Sequence, residues 1–329
     1  MNEKIDFVII WVDGNDKEWQ KEKERYSPDK NTDSRNIRYR DWENLKYWFR
    51  GVEKFAPWVN KVYFVTCGHY PEWINKEHPK LVCVKHSEFI PKEYLPTFNS
   101  NVIDLHLHRI KGLSENFVYF NDDTFIINHV KEKDFFKNGM PCDEYAETPV
   151  IPYKSIFPYS LFNNTFIVNN HFRKKEVYRK NFFKLYSIKN GINVFRTLLA
   201  NPYKNFIGFY SPHIPMSFSK KYFEKIWNLE QNSCVNTSKN RFRSKQDITI
   251  YLVRYFQNLE GWFSPRKSNF GKHYVISDCN DKMIKDIKKK KHKMICINDD
   301  ENIADFEKTK KEINQAFNEI LPEKSLFEK

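Results

Sequence analysis

Short apolar runs that stop abruptly at Asn and Asp set the pattern of this chain. Phe7-Val8-Ile9-Ile10-Trp11-Val12 runs into Asp13-Gly14-Asn15-Asp16, and Phe117-Val118-Tyr119-Phe120 into Asn121-Asp122-Asp123. Near the other end, Met294-Ile295-Cys296-Ile297 runs into Asn298-Asp299-Asp300. Continuous apolar runs bounded by turn formers read as strands buried on both faces. Ile5 to Val12, Lys61 to Thr66, Leu81 to Val84 and Phe117 to Phe120 are the expected strands of the first half. Between them, Leu45, Trp48, Phe49, Val52 and Phe55 recur at three- and four-residue spacing, which predicts a helix capped by Asp41 and ended by Pro57. A second helix follows Asn99 and Ser100 as caps, with Val102, Ile103, Leu107 and Ile110 on one face. This alternation of strands and helices is that of a mostly parallel sheet.

The second half is less regular. Residues 151–209 are rich in Phe, Tyr and Asn and poor in period, which suggests an insertion of helices and loops shaping an acceptor region. Phe206 to His213 reaches a strand or loop end, Ser219 caps a helix through Tyr222, Phe223, Ile226 and Trp227, and Asp247 opens another through Tyr251 and Tyr255. An amphipathic helix (Ile303, Phe306, Ile313, Phe317, Ile320) and a charged tail close the chain. The expectation is one catalytic domain over residues 1–329. Residues 1–150 carry the donor and metal motifs, 151–209 the insertion, and 210–329 the later catalytic blocks.

Adjacent carboxylates beyond a strand repel unless a cation sits between them, and hard oxygen ligands suit Mg²⁺ or Mn²⁺. Asn121-Asp122-Asp123 alone reads equally well as a hairpin turn, since apolar residues resume at Phe125. Three acidic strand ends side by side would form a pocket where ligands of open α/β sheets bind. His106 and His108 lie two apart and cannot share a helical face as metal ligands do, so solvated histidines are expected.

Composition narrows the chemistry. Nine Gly among 329 residues and no glycine-rich phosphate loop leave phosphate binding to metal and basic side chains. The net charge of +13 fits phosphorylated substrates, an anionic membrane face or nucleic acid. No RNP, helix-turn-helix or zinc-finger pattern supports the last of these, and the acidic strand ends oppose it. Six scattered cysteines without a CxxC pair point to a reducing cytoplasm. No run approaches the roughly 20 apolar residues of a membrane span. The basic run Lys285 to Lys293 is expected to be solvated surface.

Four blocks carry a resemblance. They are IDFVIIWVDGND at Ile5 to Asp16; the stretch from Arg38 through LPTFNSN to Asp123; His213 (HIPMSF) to RFRSKQDIT; and KMICINDD. In these the chain resembles the Stealth family of bacterial capsule and exopolysaccharide sugar-phosphate transferases. That family includes the catalytic subunit of the lysosomal-enzyme N-acetylglucosamine-1-phosphotransferase. The resemblance implies an α/β, Rossmann-like or GT-A-like fold, a UDP-sugar donor, a glycan acceptor carried on lipid, and a divalent metal, Mg²⁺ or Mn²⁺. Asp122 and Asp123 fall in its acidic catalytic motif, His213 opens its third block, and Arg243 precedes a helix. Asp122, Asp123 and Asp299 are the expected metal ligands, with Asp13, Asn15, Asp16, Asn121 and Arg241 on the donor side. The expected reaction moves a hexose-1-phosphate to a sugar hydroxyl with release of UMP at the cytoplasmic face of the membrane. A metal-dependent glycosyltransferase releasing UDP fits the same carboxylates and stays open.

Overall fold

A computed structural model of the protein describes residues 4–27, 39–300 and 303–329. The first apolar run forms β1 (Ile5–Ile10), and Asp16 then caps α1 (Lys17–Tyr26), its Oδ1 accepting from the Trp19 amide at 2.8 Å. The Asp13-Gly14 corner passes close to Tyr39. A Cβ on Gly14 would lie 1.9 Å from the Tyr39 carbonyl oxygen, an approach only glycine tolerates. Next come α2 (Leu45–Phe55), β2 (Val62–Thr66), β3 (Leu81–Lys85) and α3 (Ser100–His106), the last capped by Asn99, which accepts from the Asn101 amide. β4 (Asn116–Phe120) is buried throughout, and a turn leads to β5 (Thr124–Ile126). After α4 (Glu132–Phe135), β6 (Phe136–Lys137) and β7 (Met140–Asp143) come the insertion's helices, α5 (Phe157–His171), α6 (Lys174–Leu185) and α7 (Asn193–Ala200). β8 (Met216–Ser219), α8 (Lys220–Leu229), α9 (Gln231–Ser238) and α10 (Tyr251–Leu259) follow. The chain ends with β9 (Ser264–Pro265), β10 (Gly271–Val275), α11 (Asp281–Lys288), β11 (Met294–Asn298) and α12 (Phe306–Ile320).

The main sheet has the order β3-β2-β1-β4-β8, parallel from β3 to β4 with β8 antiparallel at the edge. Phe7 and Ile9 of β1 join an apolar layer with Trp48 and Phe49 of α2, while Val8 joins the opposite layer with Val102 of α3 and Leu252 of α10. Burial on both faces is why β1 reads as an unbroken apolar run. The α/β architecture with a mostly parallel central sheet is thus the expected one. Strand order reverses between β1 and β4, and there such sheets leave a crevice beyond the carboxyl ends of the strands.

Several expectations are corrected. β5 does not fold back on β4 as a hairpin. It leaves the main sheet and pairs antiparallel with β11, Thr124 opposite Cys296, in a second sheet β10-β11-β5. The three acidic strand ends therefore do not lie side by side in one sheet; β1 and β4 are neighbours, and β11 arrives from the second. Asn44, not Asp41, occupies the cap position of α2, and the Asp41 carboxylate accepts from the Glu43 amide instead. Asp247 opens no helix. It is buried and gathers the side-chain amides of Asn99, Asn101 and Asn240 and the Ser244 amide. His106 is buried rather than solvated, stacked on Tyr94 with Nε2 3.1 Å from Ser238 Oγ, and burial drops its pKa to about 3. In the Lys285–Lys293 run, Lys288 pairs with Glu319, Lys291 with Asp286 and Lys293 with Asp134.

The charged tail is docked through α2. Buried Arg50 forms a two-pronged pair with Glu328 at 2.8 Å and donates to the Leu321 and Pro322 carbonyls. Arg50→Ala would strand the Glu328 carboxylate and is expected to lower stability by about 3–5 kcal/mol, read as a lower midpoint in denaturant. Burial pushes the Glu328 carboxyl up, but the Arg50 hydrogen bond and charge together with the Ser325 hydrogen bonds outweigh it and hold the group below its ordinary 4.5. The pair's contribution is therefore complete above that value and is lost as pH falls through the lowered one. An acid-unfolding midpoint identical in wild type and Arg50→Ala would contradict this linkage.

Candidate active site

Beyond β1 and β4 opens a cleft of about 810 Å³, walled by both sheets and by the start of the insertion. Asn121, Asp122 and Asp123 line it from the turn after β4, closed by Thr124 donating through amide and hydroxyl to the Asn121 carbonyl at 3.1 and 2.7 Å. The Ile297 amide donates to the Asp123 carbonyl at 2.9 Å, so this turn is clamped to β11. His213, just ahead of β8, places Nε2 3.1 Å from Asp123 Oδ2 and 3.3 Å from Asn121 Nδ2. Tyr119 in turn donates its hydroxyl to Asn121 Oδ1 at 2.6 Å, which turns the amide nitrogen toward the histidine.

The electrostatics follow from that pairing. Burial opposes charge on both His213 and Asp123, yet their mutual attraction and hydrogen bond win. The imidazole is raised above its ordinary value and the Asp123 carboxyl is lowered. Crowding by the cleft walls and the neighbouring Asp123 charge push Asp122 up to about 7, although its side chain reaches solvent and water tempers the effect. Cys296 of β11 donates its thiol to the same Asp123 Oδ2 at 3.4 Å, and burial holds the thiol well above its ordinary value.

Other expected residues are placed less directly. Asp299 faces the cleft, but Arg40 Nε and Trp42 Nε1 occupy its Oδ2, and Arg40 Nη2 and the Asp300 amide its Oδ1. With about four acceptor positions on a carboxylate, Asp299 anchors Arg40 and is not brought to Asp122 and Asp123 as a ligand. At the end of β1, the Asp13 amide donates to His69 Nε2, Asp13 Oδ1 accepts from the Asn15 amide, and Asp16 caps α1. Trp11 and Val12, rather than these three, line the cleft. The Arg241 guanidinium lies 4.8 Å over the Tyr26 ring. Arg243 does line the cleft and donates Nη2 to Ser100 Oγ at 2.6 Å, and its charge acts on both His213 and Asp104.

Sequence reasoning missed Asp104, Cys296, His273 and Arg40. Asp104 of α3 is buried at the cleft wall, and burial lifts it to about 7. His273 of β10 stands 5.9 Å from the His213 ring. Of these only Asp104, a carboxylate among the apolar positions of α3, gave an advance signal.

The residues fit a bound cation. Asp123 Oδ1 is buried with no hydrogen-bond partner, a costly state for a carboxylate oxygen that a cation would relieve. Ligand atoms of Asp123, His213 and Cys296 lie within 4.8 Å of one another.

Residues 3–30 match Stealth protein CR1, conserved region 1, and residues 38–143 match Stealth protein CR2, conserved region 2. The chain is 45% identical over 330 residues to a capsular polysaccharide phosphotransferase WcwK of Streptococcus pneumoniae, covering 99% of this chain and 98% of that one. Identity is 40% to the exopolysaccharide phosphotransferase cps2G of Lactiplantibacillus plantarum (99% and 96% covered). It is 38% to the receptor polysaccharide phosphotransferase WefC of Streptococcus gordonii, with both chains fully covered. Among solved structures, the galactosyltransferase LgtC with donor and acceptor sugar analogs overlaps 81% of this chain and 75% of its own at 10% identity and a TM-score of 0.34. End-to-end identity with these relatives, and both conserved-region matches in order, show that the chain belongs to the Stealth family.

Proposed function

We propose that this protein transfers a hexose-1-phosphate or N-acetylhexosamine-1-phosphate from a UDP-sugar to a glycan hydroxyl in capsular or exopolysaccharide assembly, releasing UMP. The observation that carries the reading is the His213–Asp123 pair, 3.1 Å apart, in a cleft that Arg243 also lines. As donor to Asp123, His213 Nε2 keeps its proton and leaves Nδ1 to accept one from the acceptor hydroxyl. The acceptor oxygen then bonds to the sugar-linked phosphorus, the bond from that phosphorus to the oxygen of UMP breaks, and UMP departs with the electron pair. Arg243 supplies a planar cationic fork matched to phosphate oxygens. Asp122 and Asp123 would hold Mg²⁺ or Mn²⁺, which when bound neutralises charge on the diphosphate. Asn121, held by the Tyr119 hydroxyl, packs its amide nitrogen 3.3 Å from His213 Nε2 and so frames the imidazole on that side by contact. Asp13, Asn15, Asp16 and Arg241 shape the donor side from behind the cleft wall, and Asp299 does so by anchoring Arg40.

No helix among the described residues is long and apolar enough to cross a membrane. We place the enzyme at the cytoplasmic membrane face, where UDP-sugars are supplied, in peripheral contact with a lipid-borne acceptor. The decisive experiment resolves the nucleotide released from a UDP-sugar in the presence of an acceptor oligosaccharide. One UMP per new phosphodiester is expected, with the donor's anomeric configuration retained, because no bond to that carbon breaks. Stoichiometric UDP and a product without phosphorus would overturn the reading in favour of a glycosyltransferase.

A further inference from the structure

The insertion carries its apolar side chains on the wrong side for a solvated protein. Of the sixteen large hydrophobic side chains left exposed among the described residues, thirteen fall between Ile151 and Tyr203. In α7 the buried positions are Asn193, Thr197 and Ala200, while Phe195, Leu198 and Leu199, with Ile192 at the N-cap, are exposed. The buried polar groups are used: Asn193 donates to Glu144 Oε2 at 3.2 Å, and Thr197 Oγ1 accepts from the Glu147 amide at 3.1 Å. An amphipathic helix of a solvated protein turns the other way.

The outward stripe continues beyond α7. Ile188, 93% exposed, precedes it, and Phe182 with Phe183 (90% exposed) closes α6. Tyr186 joins these ends, packing 4.9 Å from the Phe182 ring and donating its hydroxyl to Asn201 Oδ1 at 2.6 Å. The patch is therefore one surface built by the ends of two helices.

Charge identifies its occupant. Residues 151–209 contain ten Lys and Arg (154, 173, 174, 175, 179, 180, 184, 189, 196, 204) and one acidic residue, Glu176, a net of +9 within the chain's +13. Arg179, Lys180, Lys189, Arg196 and Lys204 are exposed among the apolar side chains. Two copies meeting through this face would bring like charges together, whereas an anionic bilayer takes up both features: apolar side chains at the acyl boundary, basic ones on lipid phosphates. We propose that the α6–α7 face of the insertion docks the protein on an anionic lipid surface. Tyr153, Ser155 and Phe157 at the start of the same insertion line the catalytic cleft, so the docking segment and part of the cleft wall belong to one stretch of chain. The inference rests on the peripheral contact proposed above and is independent of the reaction.

The test is sedimentation of the full chain with phosphatidylcholine vesicles with or without phosphatidylglycerol, alongside turnover on a water-soluble acceptor. At low salt, wild type is expected to sediment only with the anionic vesicles. Ile192→Ser/Phe195→Ser/Leu199→Ser and, separately, Arg179→Glu/Lys180→Glu should each weaken partitioning about tenfold or more. Lys285→Glu/Lys289→Glu, in the other basic run, should bind like wild type. All variants should keep wild-type turnover on the soluble acceptor, which separates docking from the reaction. Failure of wild type to bind anionic vesicles would overturn the membrane contact. Undiminished binding by the insertion variants would place the contact elsewhere, and a dimer dissolved by the serine variant would make a second copy the occupant.

Discussion

Asp123→Asn is expected to lower turnover by about 10³-fold or more while leaving a folded protein. The substitution keeps shape and removes charge at the point where the site's interactions meet. Asp123 Oδ2 accepts from His213 and from the Cys296 thiol, while Oδ1 is buried without a partner. An amide there cannot balance a protonated imidazole and offers a cation only one neutral oxygen. The backbone clamp survives, because the Ile297 amide bonds to the residue 123 carbonyl and not to the side chain. Thermal unfolding should therefore move little, while the response of turnover to added Mg²⁺ or Mn²⁺ should be lost. Excess chelator should silence the wild type in the same assay. Full turnover in chelator, or an Asn variant that titrates with metal like wild type, would sink the assignment.

How much of this was legible beforehand depends on burial. β1, β2, β3 and β4 are short apolar runs, because layers on both faces leave few polar positions to interrupt them. β8 and β10 escape notice. Met216–Ser219 carries two serines at a sheet edge, and Gly271–Val275 exposes Lys272, His273 and Val275. The departure of β5 to the second sheet could not be read either, since an Asn-Asp-Asp turn followed by apolar residues has the same text whether the chain reverses or crosses over. At the site, Asp122, Asp123, His213 and Arg243 were legible as polar residues at the ends of apolar runs and through the family resemblance, and the structure brings all four to one cleft. Their partners were not. Arg40 and Asp299 meet across 259 positions, and Cys296 reads as one more apolar residue of β11 until its register places it opposite Thr124. Asp16 shows the converse: an acidic residue after a strand whose carboxylate is engaged in capping α1.

His213→Ala is expected to reduce turnover by about 10²- to 10⁴-fold, the usual worth of a positioned acid–base group, with UDP-sugar affinity held within a few fold. The split is the informative part. In the proposed reaction His213 takes the acceptor's proton and contributes no positive fork to the diphosphate, which Arg243, lining the same cleft, would supply. Removing the imidazole leaves Asp123 without its counter-charge, and an added cation compensates for that in binding but not in proton transfer. Calorimetric titration of donor into the metal-loaded variant should thus give near-normal affinity beside a collapsed rate. Arg243→Lys provides the contrast. It keeps the charge, gives up the fork and the Ser100 contact, and should weaken donor binding as well as turnover. If His213→Ala instead lost donor affinity in proportion to rate, the histidine would be holding the diphosphate, and the proton would have to leave by another route. Asp104, buried in the same cleft and lifted to about 7, would then be the group to substitute next.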